Sequence, residues 1–268
     1  MNKEDLVSVI MPTYNAGKYL ADSINSILNQ SYKNLELLIT DDASTDPTTL
    51  QLLQEFASKD NRVDILYLKE NHGAGYARNK SIERAKGRYI AFCDSDDRWT
   101  TDKLEKQIAF MNKKKCALSC ASYIIFDGET QNEIGFCTAP KKITYGMMKR
   151  DNKVGCLTAI YDVQMLGRKF FMPTIRKRQD WALFLQIIRE CKVCYAYPDK
   201  PLAYYCIRRN SISSNKMSLM KYNIAVYKEI LGFHPIKANL YFFTLFLPTY
   251  GAKILKRKFD SYTFTHQK

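Results

Sequence analysis

Four short apolar runs, separated by helical repeats and ending in polar residues, constrain this chain more than any other feature. Val7-Ser8-Val9-Ile10-Met11 is a β-branched run that stops at Pro12, and Leu20, Ile24, Ile27 and Leu28 then recur at helical spacing. Leu35-Glu36-Leu37-Leu38-Ile39 and residues 63–68 are the next two runs, with a helix through Leu50, Leu53 and Phe56 between them. A helix through Ala77, Ile82 and Ala85, closed by Gly87, leads into the fourth run at residues 89–93. Such alternation implies an α/β fold: a parallel sheet with helices on both faces. Ligands of such sheets bind beyond the carboxyl ends of the strands. Here those ends carry Thr13 and Tyr14, Asp41 and Asp42, the glycine loop at 71–75, and Asp94 with Asp96.

The fourth run stops at Asp94-Ser95-Asp96-Asp97, three carboxylates within four residues. Like charges so close repel one another. A divalent cation held by oxygen ligands would offset that repulsion and could grip the phosphates of a second ligand. A solvated acidic turn before a helix capped by Thr100-Thr101-Asp102 accounts for the same residues. These residues alone do not separate the two readings.

Beyond a helix through Leu104, Ile108 and Met111, residues 117–126 read as one strand. Residues 127–150 are polar and basic without a period, and 155–161 return to strand character. A basic loop at 169–179 precedes Asp180, which opens a helix with the apolar face Trp181, Phe184, Leu185 and Ile188. Residues 193–197 and 202–207 read as strands, and 208–213 as a basic, hydroxyl-rich loop. From Met217 the chain reads as helical and aromatic. Its apolar run at 240–247 is followed by Lys253, Lys256, Arg257 and Lys258, a pattern suited to a membrane surface as well as to a core helix.

Composition narrows the partners. The 268 residues carry a net charge of +14, which calls for an anionic partner: nucleotide phosphate, anionic lipid or nucleic acid. Acidic strand ends argue against nucleic acid. Met1-Asn2-Lys3-Glu4-Asp5 leads straight into a strand, so no secretory signal is expected, and the eight cysteines read as reduced thiols in the cytoplasm. Cys191-x-x-Cys194 has no second pair and His72, His234 and His266 are scattered, against a zinc site. Gly73-x-Gly75 opens a helix after a strand, but Arg78 stands where a dinucleotide fingerprint needs its third glycine. Arg98 stands where a calcium loop beginning at Asp94 would need a ligand, and no Gly-x-Ser-x-Gly elbow occurs. Asp42 alone reads as readily as an Asx turn or helix cap as it does as a site residue.

Four stretches in order, residues 7–15, Asp41-Asp42-Ala43-Ser44-Thr45-Asp46, Ala77-Arg78-Asn79 and Phe92-Cys93-Asp94-Ser95-Asp96-Asp97, carry a resemblance to the family 2 glycosyltransferases. It spans residues 6–115 in register and extends more loosely to about 215. The resemblance implies a GT-A fold, Rossmann-like with a mostly parallel sheet. It divides the chain into a glycosyltransferase domain over 1–215 and a C-terminal helical extension over 216–268. Within the domain, 1–115 is the nucleotide-binding half and 116–215 the acceptor-binding half. Pro12, Thr13, Tyr14, Asp42, Arg78, Asp94 and Ser95 are then nucleotide-binding, with Tyr14 near the uracil, Asp42 accepting from the base and Asp94 near the ribose. Asp96 is the implied ligand of Mn²⁺ or Mg²⁺. Gln179-Asp180 stands where the family has Glu-Asp, with Asp180 as the catalytic base. Cys206 replaces an arginine of the family, leaving Arg208 or Arg209 for the diphosphate.

The implied activity is inverting transfer of a hexosyl or N-acetylhexosaminyl group. The donor is a nucleotide sugar, UDP-linked by expectation. The acceptor is a lipid-linked or growing saccharide of bacterial O-antigen or capsule type, at the cytoplasmic face of the membrane. A non-catalytic basic α/β binding protein and a sugar nucleotidyltransferase are the alternatives. The acidic set Asp42, Asp94, Asp96 and Asp180 favours the transferase over the binder.

Overall fold

A computed structural model of the protein describes residues 5–208 and 216–266, with the backbone alone for 216–219. Its first half lays down β1 (Val7–Thr13), α1 (Leu20–Leu28), β2 (Leu35–Asp41), α2 (Pro47–Lys59), β3 (Val63–Tyr67), α3 (Ala74–Arg84) and β4 (Tyr89–Phe92). β1 pairs in parallel with β2 and β4, and β2 with β3. Successive side chains of a strand point to opposite faces. Val7, Val9 and Met11 therefore enter one core with Leu20, Ile24 and Ile27 of α1, whereas Ile10 and Phe92 enter another with Ile82 of α3. Burial on both faces is why these strands read as unbroken apolar runs.

The chain continues through β5 (Arg98–Trp99), α4 (Lys103–Lys114), β6 (Leu118–Ala121), β7 (Tyr123–Asp127), β8 (Glu133–Cys137), β9 (Lys142–Thr144) and α5 (Tyr145–Arg150). Then come β10 (Ile160–Asp162), α6 (Val163–Leu166), α7 (Gln179–Cys191), β11 (Val193–Tyr197) and β12 (Ala203–Ile207). The eight-stranded main sheet runs β3-β2-β1-β4-β10-β6-β11-β9, and a four-stranded sheet runs β5-β12-β7-β8.

Several local expectations change. Residues 117–126 form two strands in two sheets, broken at Ser122, whose hydroxyl accepts from Ala139 N and whose carbonyl accepts from Leu202 N. β1 runs on through Pro12, which faces Thr40 of β2 at a point where pairing with β4 has already ended, so its missing N–H leaves no gap in that ladder. The aperiodic stretch at 127–150 holds β8, β9 and α5. Residues 155–161 form a 3₁₀ turn at Cys156–Thr158 and then β10, antiparallel between β4 and β6. Asp102 sits at the N-cap of α4 without capping it, because its carboxylate pairs with Lys106 and Lys200. α3 ends at Arg84 rather than on a left-handed Gly87. Gly87 serves a close backbone approach, since a Cβ there would fall 2.6 Å from Ser8 N.

The C-terminal part comprises α8 (Lys216–Ala225), α9 (Pro235–Tyr241) and α10 (Leu247–His266), with π-turns at Val226–Ile230 and Phe242–Phe246. It shares a core with α7: the Trp181 ring lies 5.7 Å from Tyr227 and 5.6 Å from Phe246. Farther along, α10 lies on β8, where Phe264 stacks on Phe136 and Ser261 Oγ accepts from Phe136 N at 3.0 Å.

Candidate active site

Hydrogen bonds tie the strand ends into one edge. Asp42 N donates to Thr13 O at 2.8 Å, and Leu68 N to Asp41 O at 2.9 Å. The Asp42 carboxylate is buried and accepts from His72 N at 2.9 Å and Gly73 N at 2.7 Å. It thereby clamps the loop that opens α3, where Gly73 adopts φ 90°, a value that favours glycine. Pro12 and Thr13 are buried beside it, and Thr13 Oγ1 has no partner among the described residues. Tyr14 stands half exposed at the rim.

The acidic cluster is not a solvated turn. Arg78, buried in α3, pairs with Asp94. Burial works against the guanidinium charge, but the Asp94 and Asp180 carboxylates outweigh it and hold Arg78 above the ordinary arginine range. Ser95 is buried. Asp96 pairs with Arg208 at 2.5 Å, and the Arg208 guanidinium lies 5.3 Å from the Tyr19 ring centre. Arg209 lies outside the described residues. Asp97 is buried and accepts from Cys206 N at 2.9 Å, which fixes β12 to the acidic turn. Burial pushes both Asp96 and Asp97 above the ordinary carboxylate range; Arg208 draws Asp96 back, and the neighbouring carboxylates push Asp97 further.

Asp180 lies in the first turn of α7, whose N-cap is Arg178 at φ 68°. Its carboxylate accepts from Asn152 Nδ2 at 2.8 Å and does not cap the helix. The preceding Gln179 packs against α3 so closely that a Cβ on Gly75 would fall 2.2 Å from its side chain. This contact brings the starts of α3 and α7, and with them Arg78 and Asp180, to one place. Asn152 is in turn held from the C-terminal side, where Lys253 Nζ donates to Asn152 O at 2.6 Å and pairs with Asp151 at 3.0 Å.

Sequence reasoning gave no separate role to Asp97, visible only as the third carboxylate of the cluster, and nothing in the sequence marks Asn152. Lys253, which reads in sequence as one of the cations suited to a membrane surface, is instead engaged by Asp151 and Asn152. Among the described residues no three His, Cys, Asp or Glu side chains gather as an all-protein metal site. The chain instead offers Asp96 with Asp94 nearby: one or two hard oxygen donors whose set phosphate oxygens and water complete, the donor chemistry of Mg²⁺ or Mn²⁺. The burial that raises Asp96 is a penalty a divalent cation relieves, so these residues fit such an ion.

A mostly parallel sheet carrying acidic and basic groups at its carboxyl edge, with a second sheet closing over it, is the architecture of a GT-A glycosyltransferase. Among solved structures it is similar to Staphylococcus aureus TarS 1-349 in complex with UDP-GlcNAc (TM-score 0.67, 22% identity, covering 88% of this chain and 70% of that one). It is also similar to the mannosyltransferase PcManGT of Pyrobaculum calidifontis in complex with GDP-Man and Mn²⁺ (TM-score 0.64, 16% identity, covering 95% and 75%). The family model Glycosyl transferase family 2 matches residues 8–171, and the chain belongs to that family. It is 43% identical over 238 residues to TuaG of Bacillus subtilis, a glycosyltransferase named for teichuronic acid biosynthesis, covering 89% of this chain and 93% of that one. It is 38% identical over 216 residues, covering 81% and 83%, to WfgD of Escherichia coli. That protein is named as a UDP-Glc:alpha-D-GlcNAc-diphosphoundecaprenol beta-1,3-glucosyltransferase.

Proposed function

We propose that this protein is an inverting, divalent-metal-dependent hexosyl- or N-acetylhexosaminyltransferase of bacterial surface polysaccharide synthesis. It moves the sugar of a UDP-sugar to a hydroxyl of a lipid-linked saccharide at the cytoplasmic membrane surface. The observation that carries this reading is the placement of Arg78 between Asp94 on the nucleotide side and Asp180 on the acceptor side. The names of the Escherichia coli relatives support the UDP donor and the lipid-linked acceptor. Residues 1–115 then bind the donor, 116–215 contribute the acceptor side, and 216–268 form the helical extension.

Asp180 takes the proton of the acceptor hydroxyl as that oxygen bonds to the anomeric carbon. The bond from that carbon to the diphosphate oxygen breaks on the opposite face, and UDP leaves with the electron pair. One carboxylate on the acceptor side thus predicts inversion. Asn152 holds Asp180 toward the acceptor, and Arg78 with Arg208 offsets the charge that develops on the diphosphate. When bound, the cation held by Asp96 supplies Lewis-acid stabilisation of the same charge. Asp42, Thr13 and Tyr14 line the base, and Asp94 with Ser95 the ribose.

Replacement of Asp180 by Asn tests this reading. The variant keeps the Asn152 contact but cannot take a proton, so turnover should fall roughly 10²–10⁴-fold with donor binding unchanged. Full turnover in that variant, or a product with retained anomeric configuration by NMR, refutes it. Release of pyrophosphate instead of UDP would favour a nucleotidyltransferase.

A further inference from the structure

The chain from Pro235 to His266 is helical, with α9 passing through a π-turn into α10, and it is apolar on two opposite sides. On the inner side Ala238, Phe242 and Phe246 join the core around Trp181, with the rings of Phe242, Phe246 and Tyr250 stacked at 5.3 and 5.5 Å. On the outer side Ile236, Leu240, Phe243, Leu255, Phe259 and Tyr262 recur at helical spacing, and each is between 54% and 76% exposed. A helix apolar all round is normally covered all round. Here the chain itself covers only one side.

The outer stripe is rigidly presented. Lys253 pins α10 to Asp151 and Asn152, and Ser261, Phe264 and Asp260 pin its far end to Phe136 and Thr138. Lys237, Lys256 and Lys258 border the stripe and are exposed, and from 235 to 266 Asp260 is the one acidic residue. No helix among the described residues is long and apolar enough to cross a membrane. An apolar stripe with basic borders and no capacity to span lies in the plane of a bilayer surface, its side chains among the acyl chains and its cations on anionic headgroups.

We infer that the outer face of α9 and α10 is the surface by which this protein docks onto an anionic membrane, with Ile236, Leu240, Phe243, Leu255, Phe259 and Tyr262 inserted. The inference deepens the reading of a transferase acting on a lipid-linked acceptor and rests on it for its purpose. The run at 240–247 divides between the two readings its sequence allows: Phe242 and Phe246 point into the core, and Leu240 and Phe243 stand exposed. Through Lys253 and Asn152 the docked helix is tied to Asp180, so docking also orients the site toward the bilayer.

Flotation of the full chain with vesicles tests it. Binding to vesicles containing phosphatidylglycerol is expected, with at least tenfold less to pure phosphatidylcholine vesicles and loss of binding in high salt. Leu240→Ser/Phe243→Ser/Phe259→Ser and, separately, Lys237→Glu/Lys258→Glu should each lower flotation at least tenfold. Both should keep the wild-type melting temperature and rate of UDP-sugar hydrolysis. Wild-type protein that stays off the anionic vesicles, or folded variants that float like the wild type, overturns the inference. So does a stripe that sizing experiments show to be consumed by a dimer that never floats. Flotation without any UDP-sugar hydrolysis would uphold the docking face while overturning the enzymatic reading.

Discussion

Lys103 gives the sharpest test of the energetics. It is the first residue of α4 and is wholly buried, with no hydrogen-bond partner for Nζ among the described residues. The Nζ lies 4.1 Å from the Trp99 ring centre, a contact that favours a cation but cannot replace water. The positive end of the helix adds to the penalty. Burial pushes the Lys103 pKa from its ordinary 10.5 down to about 7. Below about pH 7 the amine is charged in folded and unfolded chains alike, and the native state carries the full penalty. Between about 7 and 10.5 the folded chain has released a proton that the unfolded chain keeps, so stability rises with pH by about 1.4 kcal/mol per unit. From these values the penalty is about 4 kcal/mol at pH 7 and about 2 kcal/mol at pH 9. Met fills a similar volume without a polar atom. Lys103→Met should therefore stabilise the protein by about 4 kcal/mol at pH 7, and this gain should halve at pH 9. Urea unfolding of both proteins at pH 7, 8 and 9 reads the difference directly. A gain independent of pH, or a destabilised variant, would show that Lys103 is solvated or paired and that the reasoning fails.

Other expectations follow from single contacts. Asp96→Asn should keep the melting temperature of the metal-free protein and abolish transfer, and EDTA should silence the wild type; activity undiminished in either case removes Asp96 and the cation from the mechanism. Asn152→Ala leaves Asp180 without its amide donor, and turnover should drop roughly tenfold with the donor KM unchanged, read by steady-state kinetics with a UDP-sugar. Gly87→Ala forces a Cβ to within 2.7 Å of both Ser8 N and Leu6 O, so thermal melting should show a loss of about 2 kcal/mol or more. A neutral Gly87 substitution would mean that β1 and the turn into β4 are not so tightly apposed.

What the sequence disclosed depended on the range of each interaction. β1, β2 and β4 are buried on both faces, so local composition alone marks them, and the carboxylates at their ends fall on one edge by the topology of a parallel sheet. The grouping of Asp42, Asp94 and Asp96 was legible for that reason, whereas Asp180, in the first turn of α7, was singled out through the family resemblance. The break at Ser122 was not, because Leu118 to Asp127 has one uniform strand character and only the destinations differ, β6 beside β11 and β7 beside β12. Likewise Asp97 reads locally as a third surface acid, yet its carboxylate is spent on Cys206 N, a contact that only the second sheet creates.

The C-terminal helices show the same limit from the opposite direction. Leu240 to Leu247 is apolar at nearly every position, so periodicity cannot say which side faces the core. The core contacts decide it: Phe242 and Phe246, four apart, stack on the inner side with Trp181, and Phe243 is left outside. The π-turn at Phe242–Phe246 keeps that pair together as an α-helical turn would, but its extra residue resets the phase of the helix that follows. The rotation of everything beyond, including Lys253 against Asp151 and Asn152, is set by that turn. The geometry that supports Asp180 thus rests partly on a backbone irregularity some sixty residues downstream, which no residue-by-residue reading of Asp180 would find.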